Sequence, residues 1–590
     1  MTRARWRRLL VAALAVPLTL AGCTGVPDSS APQTVEPVNA DPNGSPTTAE
    51  PLKGAGPPRI VRDFLDANAT VDQSDPTKHT AARAYLTAAA RNQWSDQRVT
   101  IIKDRQIKTY DPHTGRLLVY GRVIGTINAS GIYQPAQQGS GDGGPATQFP
   151  FTLKRVDGQY RIDELHGGLL LTDDQFRESY QQHVIYYYDQ SDRYLVPDVR
   201  WSAIRATGSD LPQLVSWLVD QLVSAPRPEL QDVVSTDTFP AQVTPDRVTV
   251  RGSADALQIE IPGSSQLDAS VRNKLALQLS RTLDEVVSGT ITITDGGTPV
   301  TIPEVGSTVF SPGALADTPS DDDPTGNVYY LYNGRVDDEV GRYISGPLGT
   351  GVYNLTSVAV MRRGSSFPLQ FAATSGSGSD MRLLVGTQAG LQQTSVHGQL
   401  SRPTWAPGGI NEVWIGVGSQ LHRLTVKGTT AKDSIVQLSG TTVGGRIRAV
   451  RVSPDGSQVA LVVSGAGTTA QLFVGAIVRD SSGVRVVGLA SISPPGVIVT
   501  DADWTTPLRL VLIGGTKPTN GNIYEVGVDG SFWVAKGTVG LPDPPVSITA
   551  SAVGTWVEAG AQVWSQSGAT WQSPSPTSGQ VYGRAPVYQS

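Results

Sequence analysis

The sequence predicts a multidomain chain in which two α+β domains are followed by an all-β propeller of about five blades, and three observations carry that expectation. Apolar residues recur at helical spacing near the start and again between residues 211 and 283, each time beside alternating, strand-like runs. Beyond about residue 330 no helical period is found, and short β-rich runs are punctuated by glycine pairs. Within that last region a pattern returns at intervals near 50 residues, which suits four strands per blade.

The chain opens on Arg3, Arg5, Arg7 and Arg8, continues through an apolar stretch from Leu9 to Leu20 and closes on Ala21 and Gly22. This is the pattern of a secretory signal. Leu20-Ala21-Gly22-Cys23 fits a bacterial lipobox, so cleavage is expected before Cys23, with an S-diacylglycerol and an N-acyl chain (a palmitate) on that cysteine. A transmembrane anchor is the competing reading, but the apolar stretch falls short of the ~20 residues that cross a bilayer. Two or three acyl chains suffice for stable anchoring, at about 0.8 kcal/mol per buried methylene. The expected place is therefore the extracytoplasmic face of the cell membrane.

Cys23 is the single cysteine of the chain, which excludes disulfides, a thiol nucleophile and cysteine-ligated metal from the body. Loss of the four leader arginines takes the formal charge from -5 to -9, which argues against a nucleic-acid partner. With 39% hydrophobic and 17% charged residues the chain can bury cores.

The elements follow in order. Residues 1–22 are the signal peptide and 23–58 the anchor and tether, the latter with prolines at 27, 32, 37, 42, 46, 51, 57 and 58. Such a chain spans roughly 30 to 35 Å when flexible. In the first α+β domain (59–180), Ile60, Val61, Phe64, Leu65 and Ala67 predict a helix, and Lys78 to Trp94 a second. Strands are expected over 99–109, 116–127, 149–156 and 160–165, with Asp157-Gly158 as a tight hairpin turn.

The second α+β domain (181–312) should place strands at 184–188 and 194–200, followed by a helix carrying Leu211, Leu214, Val215, Leu218 and Leu222 that Pro226 and Pro228 close. Strands at 248–251 and 257–261, a helix with Val271, Leu275, Leu279 and Leu283, and a strand at 289–294 complete it. An acidic linker (313–329) leads to the propeller (330–590). There Val360, Trp405, Val452 and Trp504 mark the repeat, at spacings of 45, 47 and 52 residues. Ser453-Pro454-Asp455-Gly456 is its clearest turn, and Ala550 to Trp564 a fifth unit. A β-sandwich with chance spacing is the alternative.

Chemistry is sparse. Histidines 79, 113, 166, 183, 397 and 422 form no His-Glu-x-x-His pair, and neither a Gly-x-Ser-x-Gly elbow nor a Ser-x-x-Lys pair is present. No catalytic residue, cofactor or metal site is therefore expected. Gly139 to Gly144 satisfies Gly-x-Gly-x-x-Gly but reads as a loop between strands, without the helix a phosphate site needs. Asp173-Asp174 reads as a helix start, and Asp321 to Asp323 and Asp337-Asp338-Glu339 as solvated linkers. Tyr186 to Tyr188 and tryptophans 405, 414, 504, 533, 556, 564 and 571 could stack on sugars, although blade packing is the commoner use.

In Ile60 to Leu65, Ala82 to Thr87 with Trp94, Tyr194 to Arg200, and Leu218 to Pro226, joined to the lipobox and the repeat, the chain resembles the actinobacterial LpqB lipoproteins. The first domain also resembles cone-shaped nuclear-transport-factor (NTF2) or cystatin-like folds. The second resembles the GerMN domain of spore germination proteins. The resemblance implies a non-enzymatic accessory to the MtrA-MtrB two-component system, with the extracytoplasmic domain of the sensor kinase MtrB as partner and consequences for cell envelope and division. The other reading is a cell-wall glycan-binding or peptidoglycan-active protein. Carboxylates clustered in a cleft would favour that one, and an apolar rim the first.

Overall fold

A computed structural model describes residues 50–70, 79–136, 146–192, 194–206, 210–231, 234–315, 326–362, 367–408, 410–465, 469–480, 483–493, 496–573 and 582–590. The signal peptide, Cys23 and most of the tether lie outside them.

The first helix, Pro57–Ala67, buries the five expected residues Ile60, Val61, Phe64, Leu65 and Ala67. Pro57 and Pro58, assigned from sequence to the tether, form its first turn, where a missing backbone N–H breaks no helical bond. The second expected helix is instead two short ones, Thr80–Arg83 and Ala88–Gln93. Between them the Ile162 N–H donates to Tyr85 O at 2.9 Å and the Thr87 N–H to Ile162 O at 2.8 Å. The Thr87 side chain then caps the next helix by accepting from the Ala90 N–H. Sheet pairing thus overrides a continuous helical period.

These helices cover a sheet ordered Gln159–Glu164, Thr147–Val156, Arg116–Ile127, Val99–Ile107, Leu169–Thr172. Asp157 and Gly158 both take positive φ, 50° and 76°, in the hairpin turn their sequence predicts. The helix Asp173–Ser179 ends the domain, with Asp173 and Asp174 in its first turn and a Thr172/Gln175 capping box.

The middle domain begins with the antiparallel pair Gln181–Asp189 and Leu195–Ser202. Helices Leu211–Ser224 and Ala269–Leu283 bring Leu214, Leu218, Leu222, Leu275, Leu279 and Leu283 into one core. That core packs on strands Thr249–Ser253, Ala256–Glu260 and Thr290–Asp295, the last two parallel.

The C-terminal region is a propeller. Blades 1 to 5 begin with innermost strands Leu355–Met361, Thr404–Trp405, Arg446–Val452, Ile498–Thr506 and Ser547–Ser551, and each has four strands. The repeat anchors Val360, Trp405, Val452 and Trp504 fall on the first four of these strands. Beyond the five expected units, the described residues contain a sixth, three-stranded blade. In it the C-terminal strand Arg584–Tyr588 is innermost and pairs with Val328–Tyr332, which pairs with Arg335–Asp338. Val328–Tyr332 starts inside the segment expected as linker. Blades 2 and 3 also share one continuous sheet, because their outermost strands Thr430–Gly440 and Gly483–Ser491 pair in parallel.

Candidate functional site

The innermost strands line a central channel, and hydrogen bonds run from blade to blade around it. Trp405 Nε1 donates to Ala359 O of blade 1 at 3.2 Å, and Trp504 Nε1 to Arg451 O of blade 3 at 3.0 Å. Between blades 2 and 3, Arg479 Nη2 lies 3.3 Å from Glu412 Oε2. The Ala550 N–H of blade 5 donates to Asp503 Oδ2 at 3.1 Å, and the Tyr588 N–H of blade 6 to Thr549 Oγ1 at 3.1 Å. The Ser590 N–H donates to Val360 O at 2.9 Å, which closes the ring onto blade 1.

Four charges sit in the channel wall. Arg402 Nη1 donates to Asp501 Oδ2 at 2.8 Å and Nη2 to Pro586 O at 2.7 Å, so one guanidinium ties blades 2, 4 and 6 together. Arg451 lies 3.5 Å from both Asp501 Oδ1 and Asp503 Oδ1. Asp503 further accepts from the Thr549 hydroxyl at 2.8 Å. Burial, reinforced by Arg451, lowers the Arg402 pKa, and burial raises that of Asp503. Glu558 also acts on Arg402, and both Asp501 and Asp503 are committed to guanidinium and backbone partners. They are ill placed to serve as a free acid and base.

A second set of residues joins the three domains. Phe176 of the first domain, Trp201 of the middle domain and Phe532 of the propeller pack with ring centroids 4.7 to 5.5 Å apart. The Arg177 guanidinium covers the Phe532 ring at 4.8 Å. Trp201 Nε1 donates to Asp529 Oδ2 of the propeller at 2.8 Å, in a buried setting. Behind it the fully buried Arg200 donates to Asp198 Oδ2 at 2.7 Å and to Ser130 O of the first domain at 3.0 Å. At Gly488 of blade 3 an added Cβ would stand 2.1 Å from Glu229 O of the middle domain, so glycine permits the close approach.

The residues singled out from sequence are mostly structural where they are described. Trp405, Trp414, Trp504 and Trp571 are buried and serve blade packing, while Trp533, Trp556 and Trp564 are partly buried. Tyr187 is buried and its hydroxyl donates to Gln221 O at 3.0 Å. Asp337 and Asp338 are ion-paired to Arg335 and Arg342, and Glu339 accepts from the Val328 N–H, so this run belongs to blade 6 rather than to a solvated linker. His183 is buried, which pulls its pKa down to about 4, while His422 contacts Asp433 at 3.0 Å. Among the described residues no group of histidine, cysteine, aspartate and glutamate could hold a metal ion. No helix there is long and apolar enough to cross a membrane. Leu20, Ala21, Gly22 and Cys23, the glycine loop 139–144 and Asp321 to Asp323 lie outside the described residues.

Fold and site define a propeller protein with two α+β domains packed against it. Residues 50–177 match the family model of the lipoprotein LpqB N-terminal domain, and residues 332–588 that of the lipoprotein LpqB beta-propeller domain. Lipoprotein LpqB of Rhodococcus opacus is 28% identical over 92% of this chain and 91% of its own length. That of Mycolicibacterium smegmatis is 27% identical over 78% and 79%. Among solved structures, TolB from Acinetobacter baumannii shares 11% identity over 47% of this chain and 69% of its own, at a TM-score of 0.24. The chain belongs to the LpqB lipoprotein family.

Proposed function

We propose that this protein is a lipid-anchored extracytoplasmic accessory that regulates an MtrB-like sensor histidine kinase by contact, without chemistry on a substrate, and so influences cell envelope and division. The observation that carries this reading is the junction of Phe176, Trp201, Asp529 and Phe532, which packs the three domains against one another. Rigid, preorganised surfaces lose little entropy on docking. Confinement of both partners to one membrane face raises their effective concentration, so that weak contacts suffice. The committed channel carboxylates and buried tryptophans speak against the glycan-active alternative.

Crosslinking in living cells tests the reading. The chain carrying Cys23 should capture the extracytoplasmic domain of the kinase, and a Cys23→Ser form should capture far less. Failure of the anchored chain to capture that domain at native expression would refute the proposed partner.

A further inference from the structure

Positive charge is in excess around the end of the channel where the innermost strands begin. Arg446 and Arg448 open the innermost strand of blade 3, and Arg584 opens that of blade 6, across the ring. Lys517 lies in the turn between the second and third strands of blade 4, on the same side. All four are exposed, and among the described residues none of them is ion-paired; Arg446 Nη2 donates to Leu400 O at 3.3 Å. Arg448 owes its place to a bulge. The register of blade 3 shifts between Ile447 and Ala449, which leaves Arg448 outside the ladder. Two carboxylates stand nearby. Glu558, near the end of the second strand of blade 5, already accepts from the Ser547 hydroxyl at 2.9 Å and the Ala585 N–H at 2.8 Å, and Asp543 lies in the connection leading into that blade. Arg402 forms a floor between the strands, because its guanidinium reaches Asp501, Ile548 O and Pro586 O of blades 4, 5 and 6. Its Nε has no hydrogen-bond partner among the described residues, and burial lowers its pKa in spite of Asp501, Asp503 and Glu558. The floor is thus a cation that its carboxylates do not fully compensate.

Resting on the docking reading above, we infer that this opening is the contact face and that it seats an acidic, carboxylate-bearing segment of the partner protein. Charge complementarity selects the occupant. The chain as a whole carries a formal charge of -5, so an acidic segment is repelled by the molecule at large and drawn to the one side of the channel where unpaired cations gather. The opening is narrow, since one arginine side chain spans it, and Arg446, Arg448 and Arg584 therefore act on the same ligand from opposite sides. Exposed guanidinium forks also match carboxylates in shape, two parallel N–H donors to two oxygens.

The test measures binding of the full mature chain to two probes, the purified sensor domain of the proposed kinase and a polyglutamate peptide. Arg448→Glu with Arg584→Glu reverses the rim, and Lys517→Glu makes a milder change in an exposed turn outside any strand. Lys427→Glu with Lys432→Glu is the control, with the same change of charge at exposed sites on the outer hairpin of blade 2. The double rim variant should bind both probes at least about tenfold more weakly, with a difference that shrinks as salt rises. Lys517→Glu should weaken binding in the same direction, and the control should bind as wild type. Unchanged binding by the rim variants, or an equal loss in the control, would overturn the assignment and leave the docking reading intact. Rim-dependent binding of polyglutamate without binding of the sensor domain would overturn the docking reading and keep the ligand class. Rim-dependent binding to phosphatidylglycerol vesicles, with neither probe bound, would overturn the acidic segment in favour of a lipid surface, and no binding of any kind would overturn both.

Discussion

Asp220 shows how a single buried group writes a signature into stability. Burial, with a contribution from Asp246, raises its carboxyl pKa to about 6, and one of its oxygens has no hydrogen-bond partner in the structure. The folded state therefore holds the proton more tightly than the unfolded chain, whose carboxyl titrates near 4. The folded state gains from that proton below pH 4, and the gain is lost as pH rises through 6. Asp220→Asn should accordingly raise the denaturation midpoint at pH 7.5 and leave it nearly unchanged at pH 4. Equal gains at both pH values would show that burial of the charge is not the cause. Arg402 and Asp501 are also informative at this scale. They occupy the same position, three before a tryptophan, in the two motifs Arg402-Pro403-Thr404-Trp405 and Asp501-Ala502-Asp503-Trp504, and they meet at 2.8 Å across the channel. The repeat frame could have flagged them, because a charge beside a blade's innermost strand demands a partner.

Among the elements, the C-terminal strand Arg584–Tyr588 has the clearest consequence. It is innermost in blade 6, and its neighbours Gln589 and Ser590 bridge to Val360 and Arg362 of blade 1. Deleting residues 583–590 should open the ring and expose the edge of Val328–Tyr332, lowering the melting temperature of the chain by something on the order of 10 °C and broadening the transition. A cooperative melt at the wild-type temperature would contradict closure by this strand. The five four-stranded blades were legible because their turns and anchors repeat, but the sixth was hidden because its strands come from opposite ends of the region. A local period cannot reveal a pairing such as Val328 with Tyr588. The split helix between 80 and 93 escaped for a related reason, since its break is imposed by Ile162, far along the chain.

At the level of the whole molecule, the α+β region and the propeller were legible in the sequence, whereas the contacts that join them were not. Trp201, Asp529 and Phe532 belong to no sequence motif, and their juxtaposition depends on tertiary packing alone. Phe532 even adopts φ of 50°, a conformation that costs a bulky residue energy and is tolerated here inside the aromatic stack. In the function we propose, that union gives an anchored chain a single docking body, and the claim to test is that this body sets kinase output. The most direct measurement reconstitutes the kinase in vesicles with its response regulator and follows regulator phosphorylation over time. Addition of the lipidated chain should change the phosphorylation rate, and the Cys23→Ser chain should need at least roughly tenfold higher concentration for the same effect. An unchanged rate with the lipidated chain, or equal potency of the two forms, would contradict the account.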